Sequence, residues 1–198
     1  MARDFVTRTL AMGIALALLT QGAEAHTGAG IAGGFWSGVL HPVTGWDHVI
    51  AMVAVGLWGA FLGRPAIFVL PVVFPLIMAF GGAMGVLGIP LPHVETGIAL
   101  SAVVLGLMVA TAARLPILWA GLIVGLFAIF HGHAHGTELP GSANPFAYAL
   151  GFVVATGCLH VLGILFGTLS QWQAGRFAVR AGGMAISVAG LGFLTGWL

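Results

Sequence analysis

Six apolar segments follow one another along the chain with almost no charge inside them, and this limits the fold more than any other feature. They span residues 44–62, 66–87, 94–113, 117–130, 146–169 and 179–197. A hydrocarbon core of about 30 Å takes roughly 20 apolar residues per helix, so the length holds six spans with short loops. Charged residues are 6% of the 198, and 60% are hydrophobic. A soluble domain carries charge at about a quarter of its positions. The fold class expected is therefore all-α, a polytopic membrane helix bundle. The segment before His131 is short and is expected to extend through it, and Pro71 and Pro75 should kink the second segment.

Glycine is frequent, with 32 residues, and it falls inside the apolar runs. Several pairs sit four apart: Gly59 and Gly63, Gly81 and Gly85, Gly121 and Gly125, Gly163 and Gly167, Gly192 and Gly196. Small residues at that spacing let helices approach closely in lipid. The single cysteine, Cys158, excludes an intramolecular disulfide and a thiolate metal cluster. The six basic residues are all arginine, too few and too scattered for a nucleic-acid surface.

Residues 1–25 have the pattern of a cleaved signal peptide: Arg3 and Arg8, an apolar stretch over residues 9–20, then Ala23-Glu24-Ala25. Cleavage there makes His26 the first mature residue and leaves 26–198 as a six-helix transmembrane domain. The competing reading is an uncleaved first helix. Arg64, Arg114 and Arg176 fall between odd and following even segments, and Arg180 stands at the very edge of the last such loop, the segment bounds being set to within a few residues. The positive-inside rule puts those loops in the cytoplasm and the mature N-terminus outside.

In that topology most histidines and carboxylates gather at the outer level, and an ionisable group in a span normally faces a cavity, a partner or an ion. His41, Asp47 and His48 stand at the start of the first segment. Seven residues are ~10.5 Å of straight helix, too far for both imidazoles to hold one ion. Either His41 precedes the helix and folds over it, with Pro42 at a first helical position, or the two histidines serve successive positions. His131, His135 and Glu138 fall at i, i+4 and i+7, one stripe if the helix continues. The i, i+4 pair is the spacing by which two imidazoles share a metal. Carboxylate with imidazole suits nickel, cobalt or zinc. His133 projects to the other side and reads equally as an exposed loop residue. Glu95 lies in an apolar run and needs a partner, while His93 beside it reads equally as ordinary loop. His160, about midway along the fifth segment, is either a deeper metal station or a core histidine bonded to a neighbouring span. His26, with its free α-amine after cleavage, is a further candidate ligand.

His41-x5-Asp47-His48 followed by Val-Ile-Ala-Met-Val-Ala-Val-Gly-Leu-Trp, together with Phe130-His131-Gly-x-Ala-His135-Gly-x-Glu138, resembles the HupE/UreJ family of bacterial nickel permeases. The resemblance covers essentially the whole mature chain and gives His133 no support. It implies an inner-membrane permease taking up Ni2+ for hydrogenase or urease maturation, with the motif residues on the periplasmic side. Co2+ and Zn2+ are alternative ions, and no permanent cofactor is implied. The expected partners are the divalent ion and the lipid bilayer, with no nucleic acid. The chain is thus read as a secondary permease and not an enzyme. The rivals are a membrane zinc hydrolase with Glu95 or Glu138 as base and a bis-histidine haem protein.

Overall fold

The structure is a computed structural model that describes residues 31–139 and 144–198. The expected signal peptide and His26 lie outside the described residues. Seven α-helices appear among them: α1 (Ile31–Thr44), α2 (Trp46–Leu62), α3 (Ala66–Val86), α4 (Val94–Ala110), α5 (Ile117–Thr137), α6 (Pro145–Thr168) and α7 (Gln173–Thr195). A 3-10 turn, Leu169–Gln171, extends α6.

Each apolar segment forms a helix, but not six plain spans. By length and composition α3, α5, α7 and the extended α6 can cross a membrane. The fifth crossing requires a bent pair, since α1 and α2 meet at 81° and pass only together. At 17 residues, α4 is about 25 Å long, shorter than a typical hydrocarbon core. One boundary meets expectation and one does not. The fourth segment does continue through the histidines, to Thr137. The last helix starts at Gln173, so Arg176 and Arg180 ride on its first two turns. Pro71 and Pro75 sit inside an unbroken α3.

The helices face lipid on long apolar stripes. On α3, Phe68, Val72, Leu76 and Phe80 are exposed at four-residue intervals, while Leu70, Phe74 and Met78 point inward and are buried. Exposed tryptophans mark helix ends at Trp46, Trp119, Trp172 and Trp197, as membrane interfaces favour. The most enclosed helix is α2, buried from Ala51 to Gly59 except at Val53. It packs on α6, α4 and α3, while α3 packs chiefly on α5 and α4 on α7.

Glycine makes these contacts close, though not always at the expected pairs. On α3, Gly81 and Gly85 face the Ile129 and His133 carbonyls; in return Gly132 and Gly136 of α5 face the Met78 and Gly82 carbonyls. A Cβ at any of the four would collide with backbone. Gly163 of α6 meets the Val53 carbonyl, and Gly56 of α2 meets the His160 carbonyl. Gly121 has open space beside it, and Gly63 and Gly196 have positive φ at helix ends with nothing near. Those three do no packing.

The two ends of the bundle differ in chemistry. At one end Arg180 Nε donates to the Ala110 carbonyl at 2.7 Å, and Trp58 Nε1 donates to the Ala113 carbonyl at 2.9 Å. Arg114, Arg176 and Arg180 line one cavity there. His48 lies at the opposite end of α2, where the imidazoles gather.

Candidate metal site

The site is built where α1 turns into α2 against the end of α5. Pro42, fully buried, has no N–H to bond the Gly38 carbonyl, which weakens α1 near its end. Thr44 Oγ1 bonds back to the His41 carbonyl at 2.9 Å, and Gly45 takes an extended conformation as N-cap of α2. The resulting 81° bend lays His41 over the start of α2. His41 and His48 are therefore on different helices, the folded-over alternative. Pro42 is inside α1, however, and not at a first helical position.

His41, His135 and Glu138 each offer a ligand atom within 4.8 Å of the others. His41 Nε2 is 3.1 Å from Glu138 Oε2, and His135 Nδ1 is 3.8 Å from the same oxygen. Ligands of one ion with bonds of about 2.0–2.1 Å stand roughly 3 Å apart, so this spacing suits a shared cation. The rings then continue inward. Centroids are 4.7 Å apart for His41 and His135, 4.2 Å for His135 and His48, and 4.6 Å for His48 and His131. Exposure falls along the series, from 53% at the Glu138 side chain to 0% at His131. An apolar cavity of about 220 Å³ between α3, α5 and α6 has His135 and Tyr148 on its wall.

Hydrogen bonds fix which nitrogens are free. Asp47 Oδ1 accepts the His48 backbone N–H at 2.9 Å and lies 3.1 Å from His48 Nδ1. A carboxylate only accepts, so Nδ1 carries the proton and Nε2 keeps its lone pair. At His131, Ser101 Oγ is 2.8 Å from Nε2 and 2.6 Å from the Ile98 carbonyl. The hydroxyl proton goes to the carbonyl, so His131 Nε2–H donates to Ser101 and Nδ1 keeps the lone pair. His48 Nε2, His131 Nδ1 and both nitrogens of His135 are buried with no hydrogen-bond partner among the described residues. A carboxylate behind an imidazole, as at His48, is the usual support for a metal-binding histidine, and the Ser101 hydroxyl takes that place at His131. Sequence reasoning missed Ser101: a serine in an apolar helix carries no signal until its face is known.

The other candidates stand apart. His133 is buried, not an exposed loop residue, and its Nε2–H donates to the Ile89 carbonyl at 2.8 Å. Glu95, expected to need a partner, is exposed in the first turn of α4, where water and the helix dipole satisfy a carboxylate. His93 is exposed, with a left-handed φ of 57°, and caps that helix. His160 is fully buried.

Lipid-facing helices around a line of imidazoles and carboxylates at one end define a polytopic α-helical membrane protein with a polar, metal-competent interior. The chain belongs to the HupE / UreJ protein family, which it matches over residues 14–193. It is similar to Protein HupE of Rhizobium leguminosarum bv. viciae, 46% identical over 191 residues, covering 96% of this chain and 97% of that one. No solved structure matches the chain.

Proposed function

We propose that this protein takes up a divalent first-row metal ion, Ni2+ foremost, across the bacterial inner membrane as a secondary permease, by six spans with the histidine end outward. The observation that carries this reading is the series of imidazoles from exposed Glu138 to buried His131, each with a nitrogen able to take the ion. The ion is captured by His41, His135 and Glu138 and loses water to them. It then meets His48, held by Asp47, and His131, held by Ser101. Imidazole with carboxylate accepts nickel, cobalt and zinc alike, so selectivity is tested directly. An inward-negative potential favours entry of a divalent ion by about 4.6 kcal/mol per 100 mV. Membership of the family supports hydrogenase or urease maturation as the destination of the metal.

Uptake of radiolabelled nickel into proteoliposomes, with cobalt and zinc as competitors, tests the function. Saturable uptake that His135→Ala abolishes is the expected result. Uptake no faster than in empty liposomes overturns it. Thiol labelling of single cysteines placed at Glu138 and Arg114, in intact cells of a Cys158→Ser background, tests the orientation: only the first should react.

A further inference from the structure

The polar interior continues past His131. The ring of Phe74 makes edge contacts with both His131 and His160, at centroid distances of 5.6 and 5.5 Å. His160 is fully buried, and so is Thr156. The two are one turn apart on α6 and share a face. Both ring nitrogens of His160 and the Thr156 hydroxyl have no hydrogen-bond partner among the described residues. The threonine is unusual for that. Thr111, Thr137, Thr168 and Thr195 all bond back to a carbonyl three or four residues earlier, the ordinary refuge of a hydroxyl in a helix. Thr156 does not. A core histidine bonded to a neighbouring span, one of the two expectations for His160, is not what the described residues form.

Buried polar groups are satisfied in native proteins, and an unsatisfied one points to a water or an ion. Three such atoms on one face of α6, beyond an aromatic ring from the last outer imidazole, make a second concentration of donors. We propose that His160 and Thr156 form an inner station for the transported divalent cation, which binds His160 through a ring nitrogen while Thr156 Oγ1 holds the ion or a water it retains. This rests on the uptake reading above. The position fits an ion in transit: His160 lies 15 residues into α6, about 22 Å from its outer end and past the helix midpoint. Two neutral donors without a carboxylate make a weaker site than the outer cluster, so an ion arriving there can leave.

Three measurements decide the matter. In proteoliposomes, His160→Ala should lower initial nickel uptake at least ten-fold and Thr156→Val several-fold. Equilibrium nickel binding by the same detergent-solubilised variants should stay within two-fold of the parent, because the outer cluster is intact. In a Cys158→Ser background, His160→Cys titrated with Co2+ should show a cobalt–thiolate charge-transfer band, a signal that a merely structural role of His160 would not produce. Parental uptake rates in both His160→Ala and Thr156→Val overturn the inner station and leave the outer site standing. Absence of the cobalt band in a variant that still binds nickel at its outer cluster overturns it too. A parent that moves no divalent ion overturns the uptake reading, and the station with it.

Discussion

Ser101 holds the tautomer of His131. Its Oγ sits 2.8 Å from His131 Nε2 while its own proton is committed to the Ile98 carbonyl at 2.6 Å. Ser101→Ala leaves a buried ring N–H without an acceptor, at a cost of about 1–3 kcal/mol. It also frees the ring to present the wrong nitrogen. Metal affinity should fall roughly 10–100-fold, as for other supporting partners of metal-binding histidines. Thermal unfolding and nickel titration of the purified variant check both effects; parental values in each would remove Ser101 from the site.

Gly45 is the point where α1 turns into α2, and its φ of −90° suits any residue. What a side chain lacks there is space, because a Cβ would stand 2.9 Å from Asp47 Oδ1 and 3.3 Å from His48 Nδ1. Gly45→Ala should therefore push the carboxylate off His48 and raise the half-saturating nickel concentration several-fold. The fold should lose no more than about 1 kcal/mol, since the colliding atom ends a movable side chain. Uptake kinetics beside a melting curve separate the two; a large drop in melting temperature with unchanged kinetics counts against this reading.

Gly132→Ala should damage the bundle itself. Its Cβ would enter the Met78 carbonyl, and two backbones rather than one side chain would have to separate. A loss of about 1–3 kcal/mol or more is expected. Gly121→Ala, with open space beside it, should be neutral or gain about 0.5–1 kcal/mol from helix propensity. Unfolding of the two variants in detergent provides the comparison, and equal melting temperatures would argue against close packing of α3 on α5.

His133 and His135 lie two residues apart and should behave oppositely. His133 is tied to the Ile89 carbonyl, away from the other rings. His133→Ala should lower stability by about 1 kcal/mol and leave uptake per folded molecule at the parental rate. His135→Ala should abolish uptake with little effect on folding. Paired assays of uptake and membrane content test this; loss of uptake in His133→Ala at normal abundance would bring that residue into the pathway.

Much of this protein is set locally. Apolar runs with few charges dictate helices in lipid, because each backbone group must bond within its own segment. The His41, Asp47 and His48 group and the His131, His135 and Glu138 stripe are legible along the chain as residue types at telling spacings. What the sequence could not say is which face of each helix turns inward. Segment 66–87 is apolar all round, so nothing in its pattern ranks Phe74 above Phe80, yet one is buried against two imidazoles and the other faces lipid. That choice belongs to neighbouring helices: Gly81 and Gly85 can approach α5 only along one line, and their approach turns Phe74 inward. The 81° bend at Gly45 is likewise a tertiary decision, since Pro42 and glycine permit a break without stating its direction. Ser101, Thr156 and His160 gain their meaning last of all. A hydroxyl or imidazole in an apolar helix is ambiguous until packing shows whether any neighbour can satisfy it.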